Sequence, residues 1–186
     1  YLVITSVNRD DLSDGGASQF ADVVLQTRSE HPDTSFELLV PDFRYVQETS
    51  LQELSRALPF VFGHNIETVE QLYPTVRQGG DYTRSLQLLK RAGDLLGVET
   101  KSSIMLGLGE GESQVVKTLE DLRHAGVKRL CLGQYLQPDR KSLPVQEYIH
   151  PDMFAQWKVR AEQMGFSWVI SEPFARSSYH ADELQP

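Results

Sequence analysis

Residues 83–132 read TRSLQLLKRAGDLLGVETKSSIMLGLGEGESQVVKTLEDLRHAGVKRLCL, and their alternation of periods decides the fold class. Leu86, Leu89, Ala92, Leu95 and Leu96 recur near helical spacing, which predicts an amphipathic helix over Thr83–Leu96. A short apolar run, Ser102–Leu106, then reads as a strand and ends in a glycine-rich turn. A second helical stretch follows over Ser113–His124, with Ser113 as its expected cap and Gly126 where a helix should stop. Arg129–Leu132 closes the stretch as another apolar strand.

The same pattern extends to both ends of the chain. Strands are expected at Leu2–Val7, Phe36–Val40, Phe60–Gly63 and Trp168–Ile170, with helical segments at Ser18–Ser29, Ser50–Ala57, Thr68–Val76 and Pro151–Met164. Strands that alternate with helices imply parallel strands joined by right-handed crossovers, hence an α/β layered fold or a partial barrel. In such barrels the loops that follow the strands form the active face. Here those loops read NRDDLSDGGA, PDFR, HNIET, GLGEGE and GQYLQPDR, each richer in polar or glycine residues than a turn requires.

At 186 residues the chain is long enough for one domain with a real core. Its 18 basic and 26 acidic residues leave a net charge of −8, and no Lys/Arg cluster is available to neutralise phosphates, which argues against a nucleic-acid partner. No apolar run approaches the roughly 20 residues of a membrane span. The lone Cys131 excludes a disulfide framework and fits a reducing compartment. Tyr1 opens directly into a strand-like run, so the start reads as a cut within a longer chain, and localisation is not legible from that end.

Five constellations carry possible chemistry, and each has a plainer reading beside it. Asp14, Gly15 and Gly16 sit at a strand-to-helix turn whose backbone amides and helix dipole favour a carboxylate or phosphate, with Asp14 suited to an ammonium. An Asp-Gly turn with a helix cap explains the same residues. Asn65 and Glu67 can share a face and hydrogen-bond a ribose or an amino acid, or else either Thr68 or Asn65 caps a helix through Tyr73; His64 reads as a satisfied structural histidine. Lys101 precedes a strand, and the Gly107–Glu110 turn after it suits close packing of a flat, nucleoside-like group, or is an ordinary strand-to-helix turn. Gly133–Pro138 gathers amides and an aromatic beyond an apolar strand that contains Cys131, read as a buried structural thiol. Arg176–Asp182 is either an anion-binding cluster or a solvated tail.

Taken together, RDDLSDGGA (9–17), VPDFR (40–44), HNIETV (64–69), IMLGLGE (104–110), GQYLQPDR (133–140), LPVQEYIHPDMF (143–154) and RSSYHADE (176–183) resemble, in order and approximate spacing, the lipoyl synthases. The resemblance covers essentially the whole chain and corresponds to the carboxy-terminal two-thirds of that family. It implies a partial (β/α) barrel of the radical S-adenosylmethionine (SAM) type over residues 1–165, with a carboxy-terminal extension over 166–186. Family members insert two sulfur atoms at carbons 6 and 8 of an octanoyl chain carried on a lysine of a lipoyl carrier domain. The cofactors implied are SAM and two [4Fe-4S] clusters, one cleaving SAM and an auxiliary one consumed as the sulfur source. The resemblance makes Ser178 an iron ligand of the auxiliary cluster and sets Arg176 beside it. It sets Asp14, Gly15, Gly16, Asn65, Glu67, Lys101, Gly107 and Glu110 near SAM.

The resemblance also implies partners: the octanoylated glycine cleavage H protein or 2-oxoacid dehydrogenase E2, and a reduced ferredoxin or flavodoxin as electron donor. It implies bacterial cytoplasm, or a mitochondrion or plastid in a eukaryote. The departures are as informative. The six cluster cysteines of the family are absent and would precede Tyr1, together with the first barrel strand and the cluster loop. Their loss would leave Leu2–Val7 as an exposed edge strand and the chain by itself unable to cleave SAM. A non-catalytic barrel paralogue that binds SAM or a lipoyl carrier domain is the competing reading.

Overall fold

A computed structural model describes residues 1–179 of the chain. Six strands, β1 (Leu2–Thr5), β2 (Phe36–Leu39), β3 (Val61–Gly63), β4 (Thr100–Leu106), β5 (Arg129–Gln134) and β6 (Trp168–Ser171), form one sheet in the order of the sequence. Every pairing is parallel. The helices are α1 (Ala17–Glu30), α2 (Gln47–Leu54), α3 (Tyr73–Val76), α4 (Tyr82–Leu96), α5 (Glu112–His124) and α6 (Pro151–Gln163), with single 3-10 turns at Ser55–Ala57 and Glu70–Leu72. Strictly sequential parallel order has no switch point, which separates this sheet from a doubly wound one and identifies it as an open barrel. The expected partial (β/α) barrel is therefore the observed fold.

The helices form because each offers one apolar stripe to the sheet. Leu88, Leu89 and Ala92 of α4, Val115, Leu119 and Leu122 of α5, and Phe154, Trp157 and Ala161 of α6 are buried in a single core. They meet Phe36 and Leu38 of β2, Phe62 of β3, Ile104 and Leu106 of β4 and Leu130 and Leu132 of β5. Strand side chains alternate between faces, so the intervening residues line the concave face, and these are more polar. Glu37, Lys101, Ser103 and Arg129 are all buried there, with Cys131, Ile170 and Ala175 as a small separate apolar cluster.

Several boundaries differ from expectation. β4 begins at Thr100, so Lys101 lies inside the strand rather than before it. The helix after β4 starts at Glu112 with Gly111 as its cap, and Gln114 Oε1 accepts the Gly111 amide at 2.8 Å; Ser113, the expected cap, lies within the first turn. The expected helix over Thr68–Val76 is only a 3-10 turn followed by the four residues of α3. Pro74 accounts for this, because it has no N–H and is tolerated only near a helix start. Gly126, at φ 82°, stops α5 as expected. The boundary anticipated at 165/166 falls between α6 and β6. β6 is hydrogen-bonded to β5 from Trp168 to Ser171, so the chain leaves the sheet only after Ser171. β1 forms one edge of the sheet, with Leu2 45% exposed.

Candidate functional site

The mouth of the barrel, at the carboxyl ends of the strands, brings together residues that are far apart in sequence. After β3 the chain runs His64-Asn65-Ile66-Glu67, and Glu67 adopts φ 69°, a conformation sparsely populated by residues other than glycine. The surrounding structure holds it there: the Glu67 amide donates to Ser103 O at 3.0 Å and its carbonyl accepts the Met105 amide at 2.8 Å. This parallel bridge to Ile104 fixes Glu67 against β4. Burial pushes its carboxyl above the usual range, opposed by the nearby Arg77 guanidinium and by a hydrogen bond from the Asn65 side chain. Backbone strain of this kind concentrates at binding sites because it must be over-determined to persist.

Beneath this turn lies a saturated polar network. His64 is 1% exposed; its Nδ1 lies 2.9 Å from Val40 O and its Nε2 3.1 Å from Ser85 Oγ. A carbonyl only accepts, so Nδ1 carries the proton and Nε2 is an acceptor. Arg77 donates to Asn65 O (3.1 Å), Tyr73 Oη (3.1 Å) and Ser85 Oγ (3.0 Å). Burial, then the charge of Arg77, push the His64 pKa down to about 4. His64 is therefore the structural histidine that was expected, and Arg77, which no motif signalled, is the cation that organises the loop.

The remaining expected residues divide into those at the mouth and those that serve the scaffold. Asp14 caps α1: its Oδ1 accepts the Gly16 amide at 2.9 Å and its Oδ2 the Ser18 amide at 2.8 Å. Hydrogen bonds from Ser18, supplemented by the Gly16 amide, hold its carboxyl below the usual range. Gly15 and Gly16 take φ 63° and 85°, and a Cβ on Gly15 would lie 2.7 Å from Phe43 Cδ1, so this loop is closed by the PDFR loop rather than open to a ligand. Glu110 turns back on its own strand end, accepting the Gly107 amide at 2.6 Å and the Leu108 amide at 3.0 Å. At Gly107 a Cβ would collide with Gln134 Nε2 and Glu147 O. The surface that packs on this glycine is the chain's own 134–147 loop. For both segments the plainer reading is the one observed.

Lys101 is not at a strand end. It lies in the amino-terminal half of β4, where its Nζ donates to Glu37 Oε2 at 2.9 Å and stands 4.7 Å above the Trp168 ring. Both side chains of this ion pair are essentially excluded from solvent. An expected ligand contact is thus an internal tie across the concave face, between β2 and β4. Glu37 Oε1 has no hydrogen-bond partner.

The segment after β6 crosses back over the mouth. Gln134 N donates to Pro173 O at 3.0 Å and Glu172 N to Leu132 O at 3.1 Å. Ala175 is packed on Cys131 and Ile170, and a Cβ on Gly133 would collide with Ala175 O. Arg176 Nη1 donates to Ala175 O at 2.7 Å, and Ser177 Oγ donates to Asn65 Oδ1 at 3.0 Å. Ser178 is exposed, in a turn closed by Tyr179 N to Arg176 O at 2.9 Å. Residues 180–183 of the RSSYHADE motif lie outside the described residues. Asn65, Glu67 and Ser177 therefore meet at one place, with Arg176 next in the chain over Gly133, whereas the side chains of Asp14, Glu110 and Lys101 are engaged elsewhere.

An iron–sulfur cluster does not fit the residues described. A cubane is held by thiolates, and Cys131 is buried under Ala175 with its thiol pushed up to about 11, chiefly by burial. Among the described residues no group of three His, Cys, Asp or Glu side chains converges on a metal position. Nor, among them, is any helix long and apolar enough to cross a membrane.

No family model matches the chain. Two crystal structures of Streptococcus suis SuiB share its fold, one with TM-score 0.68 over 91% of this chain and 38% of that one. The other, bound to S-adenosylmethionine, has TM-score 0.67 over 99% and 42%; both are 8% identical to this chain. Among curated proteins, the lipoyl synthase of Colwellia psychrerythraea is 49% identical over 184 residues. Those of Alcanivorax borkumensis and Cronobacter sakazakii are 50% identical over 183. The alignments take in 98% of this chain and 56–57% of the relatives. Unrelated parallel barrels share a topology without sharing half their residues, so this chain, spanning a little over half the length of the proteins it matches, is a relative of the lipoyl synthases along essentially its whole length.

Proposed function

We propose that the mouth formed by Asn65, Glu67 and the returning 172–179 segment binds SAM, and that the chain forms the SAM-facing part of a lipoyl synthase. The observation that carries this reading is half-identity to lipoyl synthases over 98% of the chain. The strained Glu67 at the mouth supports it, since a partly buried carboxylate beside an amide is suited to a ribose diol or an α-ammonium group. In this reading the longer enzyme inserts two sulfur atoms into a protein-bound octanoyl chain, on the glycine cleavage H protein or 2-oxoacid dehydrogenase E2. A ferredoxin or flavodoxin supplies electrons, and Ser178 serves as a ligand of the auxiliary cluster. The residues described do not by themselves form a site for either cluster.

Titrating SAM into the chain by calorimetry tests the part of this reading that the chain can carry alone. Saturable binding that Asn65→Ala weakens at least tenfold is expected, with circular dichroism unchanged. Absence of binding up to about 1 mM, where the binding free energy has shrunk to about 4 kcal/mol, would overturn it.

A further inference from the structure

We infer that Ser177 is the positioning residue of the carboxy-terminal segment, latching it across the barrel mouth through Asn65 so that Arg176 and Ser178 are presented from a fixed turn. The segment is seated at three points. Its start is tied to β5 by the backbone bonds of Glu172 N to Leu132 O and Gln134 N to Pro173 O. Its middle rests on β5, where Gly133 leaves no space for a side chain beneath Ala175 O, and where Ala175 completes the apolar contact with Cys131 and Ile170. Its end reaches across to β3, where Ser177 Oγ donates to Asn65 Oδ1 over a separation of 112 residues.

The donor and acceptor roles are mutually consistent. Asn65 offers its amide nitrogen to the Glu67 carboxylate, which leaves its oxygen for Ser177, and its carbonyl is held by Arg77. Asn65 is thus oriented on two sides, by Glu67 and Arg77, before the segment arrives. Ser178, next in sequence, points to solvent and shares none of these bonds. Two adjacent serines therefore have different work: the half-buried one holds the segment and the exposed one is displayed.

This deepens the reading of the mouth and rests on it only for what Ser178 is displayed to. The test needs no ligand. Amide hydrogen exchange is followed at Ala175 and Tyr179, whose N–H groups donate to Glu172 O and Arg176 O within the segment. Loss of one hydrogen bond of ordinary strength corresponds to about fivefold faster exchange. Ser177→Ala and Asn65→Ala should each produce that acceleration, and the double variant no more than either alone. Ser177→Thr, which keeps the hydroxyl, and Ser178→Ala should exchange as the unaltered chain does, and core amides of β4 and β5 should be unmoved in all variants. Unchanged exchange in Ser177→Ala, additivity in the double variant, or equal acceleration by Ser178→Ala would each overturn the latch. SAM binding by the same variants is measured separately, so failure of the latch and failure of the SAM reading are distinguishable.

Discussion

His64 directly follows β3 in a fully enclosed position, with Nδ1 bound to Val40 O and Nε2 facing Ser85 and Arg77. In the unfolded chain an imidazole takes up a proton near pH 6.5, whereas here it does so only near 4. Between those values the unfolded state binds more protons than the folded state, so stability falls as the pH is lowered through that window. A separation of 2.5 units corresponds to about 3 kcal/mol in total, of which about 2 kcal/mol is lost between pH 7 and pH 5. That is a large part of the roughly 5–15 kcal/mol that holds a domain folded. Glu67 acts with the opposite sign, because its raised folded pKa means that the folded state gains a proton first on acidification. Urea midpoints measured from pH 7.5 to 4.5 for the unaltered chain and for His64→Asn separate the two, since Glu67 is present in both. Asn can donate to Val40 O but does not titrate, so the variant should start lower in stability and fall less steeply, by about 2 kcal/mol over the window. Parallel curves would refute the neutral, enclosed state of His64.

Three further outcomes are expected. Lys101→Met leaves the Glu37 carboxylate uncompensated and should cost about 3–5 kcal/mol by urea unfolding, whereas adding Glu37→Leu should restore most of it; equal cost in the single and double variants would contradict the buried pair. Gly107→Ala meets both a positive φ of 96° and a collision with Gln134 and Glu147, and a loss of about 2–4 kcal/mol by the same assay is expected, against only about 1 kcal/mol for Ala at exposed Gly79, where the φ of 77° is the sole penalty. Cys131 should resist a disulfide reagent at pH 8 in the native chain and react fully in guanidinium; rapid native labelling would mean that the segment ending in Ala175 does not cover it.

The fold was legible because its signals are periodic. Each core strand was placed to within about two residues, and α1, α4, α5 and α6 to within one, since a face that must be buried repeats its apolar residues along the element. What failed was local. Ser113 has a better capping side chain than Gly111, yet the cap is decided by where the β4 turn releases the chain, and Gln114 accepts the Gly111 amide from inside the helix. Thr68 shows the same limit: its hydroxyl is buried without a partner instead of capping a helix.

The site was legible only where chemistry and position coincide in sequence. Asn65 and Glu67 were recognisable because a polar pair directly follows an apolar strand. Glu110 and Asp14 give the same kind of signal, but a carboxylate two to four residues from free amides satisfies those amides first, and both close their own turns. Lys101 escapes this signal because the apolar run opens at Ser102, two residues after β4 begins. With Thr100 as the true start, its side chain falls on the concave face opposite Glu37 rather than at a strand end. Arg77 and Ser177 carried no signal. Arg77 acts through a loop whose path depends on the short α3, and Ser177 depends on a contact across 112 residues that no spacing rule encodes. The residues that hold the mouth together are thus the ones that sequence reasoning passes over. The conspicuous motifs mark where the chain turns, and the long-range bonds determine which turns meet.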